Sequence, residues 1–121
     1  MALLSACGPG SPPPRPRAGF RDATKPVTLA VGQEFELVLS SNATTGYHWW
    51  VVEPIDPAVG TFLAREYVSD SNPDRKAGVG GTEYWAFKAQ KAGQSKVTLR
   101  YSRAELGGEE AERRTFTIVV H

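Results

Sequence analysis

Glu34-Phe35-Glu36-Leu37-Val38-Leu39-Ser40 places Phe35, Leu37 and Leu39 on one parity and Glu34, Glu36 and Ser40 on the other. That period of two predicts a β-strand with one face turned to a core. Upstream, Val27-Thr28-Leu29-Ala30-Val31 forms a shorter run closed by Gly32. Downstream, Gly46-Tyr47-His48-Trp49-Trp50-Val51-Val52 is stopped by Pro54 and Pro57, and a mixed run follows from Val59 to Val68. Tyr84 to Ala89 carries Trp85 and Phe87 on one face. Val97, Leu99 and Tyr101 alternate cleanly, as do Phe116, Ile118 and Val120.

No segment longer than a turn or two carries an apolar stripe of helical period with caps. Ala104 to Arg114 is rich in helix formers but broken by Gly107-Gly108, and it reads as a hairpin loop between the last two strands. About seven strands within about 95 residues point to an all-β chain, two packed sheets in an immunoglobulin-like sandwich. Residues 24–121 are expected to form this single domain, large enough for one core and too small for a deep cleft between domains.

The 121 residues hold 14 basic and 13 acidic side chains, and no cluster of one sign stands out. The electrostatic footprint of a nucleic-acid binder is absent. No run approaches the about 18 consecutive apolar residues of a membrane span.

Residues 1–23 have a different texture. Five of the nine prolines fall between Pro9 and Pro16, which favours an extended, disordered tether without a packing face. Just before it, Leu4-Ser5-Ala6-Cys7 looks like the cleavage site of a bacterial lipoprotein signal peptide, whose cysteine becomes lipidated. Six residues are too few for the basic and apolar segments of such a signal, so either the true start lies upstream of Met1 or the match is accidental. The lipoprotein reading implies membrane attachment through Cys7, in the cell envelope or periplasm. Cys7 is the sole cysteine, which rules out an internal disulfide.

Catalysis has little foothold. A nucleophile–base pair would need His48, inside a strand, or His121, the last residue. A zinc site needs three or four close nitrogen or sulfur ligands, more than the chain offers. Glu109-Glu110 reads as a solvated charge pair in a loop. No cofactor, metal or catalytic residue is expected.

Three connections are more specific than plain turns: Asn42-Ala43-Thr44-Thr45-Gly46-Tyr47, Gly78-Val79-Gly80-Gly81 ahead of Thr82–Ala89, and Tyr101-Ser102-Arg103 with Ala104 and Glu105. In this order and spacing the chain resembles the chagasin family of inhibitors of papain-like cysteine peptidases. The family pattern is Asn-Pro-Thr-Thr-Gly-Tyr/Phe, then Gly-x-Gly-Gly with a Trp-x-Phe strand, then Arg-Pro-Trp/Phe after a strand tyrosine. The likeness runs from about Pro26 to Val120.

The resemblance implies a monomeric, reversible, competitive inhibitor that occludes a papain-like peptidase with three loops. Residues 42–47 would lie over the catalytic Cys–His pair, with β-branched Thr44 and Thr45 stiffening the loop and Gly46 permitting its turn. Gly78, Val79, Gly80 and Gly81 carry little bulk, so their backbone could approach the partner's substrate-binding edge. Arg103 is kept, but Ala104 and Glu105 replace the proline and aromatic, and Ala43 replaces a proline. Lost aromatic anchors commonly cost about 2 kcal/mol or more, which predicts a weaker or narrower inhibitor. Two other functions suit parts of the sequence: an accessory envelope lipoprotein on the same fold, and a carbohydrate-binding module using Tyr47, Trp49, Trp50, Trp85 and Phe87. For those aromatics core packing is the commoner fate.

Overall fold

The computed structural model describes residues 15–70, 79–105 and 107–121. Among the described residues, eight strands run in chain order: β1 (Ala18–Phe20), β2 (Val27–Leu29), β3 (Glu34–Ser41), β4 (His48–Glu53), β5 (Gly60–Ser69), β6 (Gly81–Ala89), β7 (Gly93–Ser102) and β8 (Glu110–Val120). They form two four-stranded sheets, β1-β3-β6-β5 and β2-β8-β7-β4. Most pairs are antiparallel, while β1 with β3 and β2 with β8 are parallel.

The core lies where the alternation put it. Phe35, Leu37 and Leu39 of β3 and Trp85 and Phe87 of β6 face Trp49, Val97, Leu99, Phe116 and Ile118 of the other sheet. Phe35 stacks on Phe87 with ring centroids 5.5 Å apart. Each such buried apolar side chain contributes about 1.5–3 kcal/mol. Trp49, Trp85 and Phe87 are thus core residues, while Tyr47 and Trp50 are partly exposed.

Two boundaries differ from the sequence reading. The hairpin loop after β7 is shorter than 104–114, because β8 begins at Glu110 and pairs Glu112, Arg113 and Arg114 with Tyr101, Arg100 and Leu99. Glu110 is therefore a strand residue, held by Arg113 at 2.8 Å, and not half of a loop charge pair. The eighth strand, β1, falls within the stretch 1–23 read as tether. Ala18–Phe20 pairs in register with Phe35–Leu37 and covers the edge of β3, a protection that open sheet edges need.

Glu36 explains why this arm docks. Its parity is outward, yet it is buried, 1% exposed. A buried carboxylate must be paired. Arg15 donates Nε–H and Nη2–H to its two oxygens, both at 2.9 Å, reaches Glu66 at 2.8 Å, and lies 3.5 Å over the Tyr84 ring. The Arg15 hydrogen bonds hold the Glu36 carboxyl below its ordinary pKa against the opposing effect of burial.

A depressed folded-state pKa adds stability that is present above the unfolded value and disappears as pH falls through the folded one. Glu36→Gln is therefore expected to be less stable than the parent near neutral pH. The gap should close below about pH 4. Thermal unfolding of both proteins across that range checks it, and a gap independent of pH would remove the ion pair from the account.

Candidate functional site

The first loop joins the two sheets between Ser41 and His48 and is built as a closed turn. Ala43–Thr45 forms one turn of 3-10 helix with Asn42 as its N-cap. The Asn42 Oδ1 accepts from the Thr44 N–H at 3.2 Å and from its hydroxyl at 2.5 Å. The Asn42 carbonyl accepts from Thr45 N–H at 3.1 Å and Thr45 Oγ1–H at 2.7 Å. Gly46 closes the turn in the left-handed region, φ +83°, donating to the Ala43 carbonyl at 3.0 Å. The threonine hydroxyls donate within the loop, and that of Thr45 also accepts from the Tyr47 N–H at 3.4 Å. Thr44, Thr45 and Gly46 are exposed.

The third loop leaves β7 beside the first, and Arg103 ties the two together. Its Nε–H donates to the Thr45 carbonyl at 3.1 Å, and its guanidinium sits 4.8 Å over the Tyr47 ring. Tyr47 in turn packs on Tyr101 at 5.3 Å, and Tyr101 on Trp49 at 5.0 Å. The Tyr101 hydroxyl accepts from the Asn42 N–H at 2.7 Å. Arg103 thus braces the first and third loops against each other. Ala104 and Glu105 are exposed beside it.

Of the glycine segment, Gly78 lies outside the described residues, as does Cys7. Val79 and Gly80 lead into β6, and the Gly80 carbonyl accepts from the Asp70 N–H at 2.9 Å. A side chain on Gly80 would stand 3.3 Å from the Ser41 carbonyl and 3.9 Å from Asn42 Cβ. Gly81 is already inside the strand, paired with Ser41 and Ser69. Its lack of a side chain serves the fold, since an added Cβ would lie 2.4 Å from the Val68 carbonyl oxygen.

Residues 42–47, 79–81 and 103–105 therefore meet at one pole of the sandwich. A shallow recess between the first two of these segments is lined by Ser41, Asn42, Asp70, Gly80, Gly81 and Tyr101. Sequence reasoning missed Asp70 and the bracing role of Tyr101. Tyr101 carried a signal: it ends a clean inward alternation where a hydroxyl needs a partner.

A model of the family described as "Chagasin family peptidase inhibitor I42" matches residues 28–120. Amoebiasin-1 of Entamoeba histolytica is 34% identical over 95 residues, covering 78% of this chain and 87% of its own. Among solved structures, the E. histolytica cysteine protease inhibitor EhICP2 shares the fold at a TM-score of 0.69 and 20% identity, over 86% of this chain and 95% of its own. PbICP-C, solved in complex with falcipain-2, shares it at 0.55 and 19%, over 87% and 89%. With the family pattern spanning nearly the whole sandwich, the chain belongs to the chagasin family of peptidase inhibitors.

Proposed function

We propose that this protein is a reversible, competitive inhibitor of papain-like cysteine peptidases that fills their active-site cleft with the three loops of one pole. The observation that carries the reading is the closed, exposed turn at 42–47, braced by Arg103 and Tyr101 from the neighbouring strand and loop. A loop already held in one shape loses little freedom on binding.

The same turn accounts for resistance to cleavage. A scissile carbonyl must be free to enter an oxyanion hole as charge develops on it. The carbonyls of Asn42, Ala43 and Thr45 are engaged by Thr45, Gly46 and Arg103. The loop can cover a catalytic cysteine without presenting these bonds to it. At the third loop, Ala104 and Glu105 offer no aromatic anchor, so affinity rests on the first two loops.

The 121-residue chain titrated against papain with a fluorogenic dipeptide substrate is expected to raise the apparent KM at constant Vmax, with half-inhibition between nanomolar and micromolar. Unchanged activity at ~100 μM inhibitor would leave an accessory, non-inhibitory domain as the better reading.

We further place the protein in the cell envelope as a monomer anchored through a lipidated Cys7. In support, β1 runs parallel to β3 toward the loop pole, so its N-terminal end lies away from the loops. Incorporation of a clickable fatty acid that disappears in Cys7→Ser is the expected result, and equal labelling of both proteins would refute it.

A further inference from the structure

Glu83 is a carboxylate inside the core, 0% exposed, on the parity it shares with Trp85 and Phe87. Donors surround it. On Oε2 it accepts from the Ser41 hydroxyl at 2.8 Å and the Trp49 N–H at 3.2 Å. On Oε1 it accepts from Arg65 Nε–H at 3.2 Å and Trp85 Nε1–H at 3.1 Å. Ser41 is the last residue of β3 and Trp49 the second of β4, so one oxygen grips the chain just before and just after the first loop. The two feet belong to different sheets. The Trp49 indole adds a second tie across the gap, donating to the Ser40 carbonyl at 2.9 Å.

For stability alone, a well-packed apolar residue would serve at such a position as well as a buried ion pair. What an apolar residue cannot do is fix the separation and direction of two chain ends. We propose that Glu83 is a positioning residue for inhibition: its Oε2 sets the stance of the 42–47 loop, and Arg65 and Trp85 hold the carboxylate in that orientation. The proposal rests on the inhibitory reading of that loop, and Glu83 itself touches no partner.

Glu83→Gln tests it. The amide can still accept from Arg65 and Trp85 through its oxygen, but its NH2 then faces the Trp49 N–H, donor against donor. Amide exchange at Trp49 and at Thr44–Gly46 is expected to accelerate at least about tenfold, and inhibition of papain to weaken about tenfold. Leu29→Ala, a core truncation in β2 at the opposite pole, is the comparison. It should lower the melting temperature without moving either loop readout. Ser41→Ala removes one foot and should shift both readouts in the same direction by less. It carries the test should Glu83→Gln fail to fold.

Loop exchange and inhibition that simply follow global stability, with Glu83→Gln matching Leu29→Ala, would overturn the proposal. If the parent protein does not inhibit papain, the inhibitory reading falls, while the exchange measurement still decides whether Glu83 holds the loop.

Discussion

Alanine in place of Gly81 is expected to lower the melting temperature by about 10–20 °C, whereas the same change at Gly80 should move it by only about 2–3 °C. Both belong to one glycine-rich motif, and their surroundings separate them. Gly81 sits in the middle of a sheet, paired on one side with Ser41 and on the other with Ser69. A Cβ there would lie 2.4 Å from the Val68 carbonyl oxygen and 2.6 Å from the Tyr67 hydroxyl. The first neighbour is backbone in the hydrogen-bonded β5–β6 ladder and cannot yield without breaking register. Overpacking of this kind costs about 1–3 kcal/mol, toward the upper end where the neighbour is fixed. At Gly80 the nearest atom is 3.3 Å away and the position precedes the strand, so a small shift relieves the contact. Thermal unfolding followed by circular dichroism distinguishes the two variants, and equal losses would mean that the motif is not divided between fold and surface in this way.

That division also marks what was legible in the sequence. The sandwich was readable because each core strand has a clean parity: Phe35, Leu37, Leu39 in β3 and Phe116, Ile118, Val120 in β8. β1 was not, because Ala18-Gly19-Phe20 is too short to show a period and follows prolines that argue for a tether. Its docking depends on Arg15 meeting Glu36 and Tyr84, residues 21 and 69 positions away along the chain, and no local pattern encodes that contact. The three loop segments were found through resemblance, but the inward uses of their side chains were not. Arg103 has a long, charged side chain that suits an external partner equally well, and only the position of the Thr45 carbonyl settles its direction. Glu83 was legible in principle. It shares parity with Trp85 and Phe87, so an ionisable group pointing into the core was implied by the same alternation that located the sheet.

The last and most informative variant for function is Gly46→Val, which is expected to weaken inhibition of papain about tenfold to thirtyfold while changing the melting temperature by only about 2–3 °C. The added side chain has room, since a Cβ would meet only Arg103 Cγ, at 3.9 Å. The penalty is in the backbone: φ is +83°, and a β-branched residue resists the left-handed region by about 2 kcal/mol. The turn then opens for most molecules, releasing the Gly46 N–H from Ala43 and the Thr45 carbonyl from its place beneath Arg103. If the closed turn is the form that binds, apparent affinity falls by the fraction of molecules that retain it, and about 2 kcal/mol corresponds to about thirtyfold. The core does not register the change, because Thr44, Thr45 and Gly46 are exposed. Gly46→Asn provides the internal control, since asparagine enters the left-handed region readily and should recover most of the inhibition. The expected order of inhibition constants is glycine lowest, asparagine close above it and valine far higher. A valine variant that inhibits as well as the parent would show that the closed turn is not what the peptidase meets.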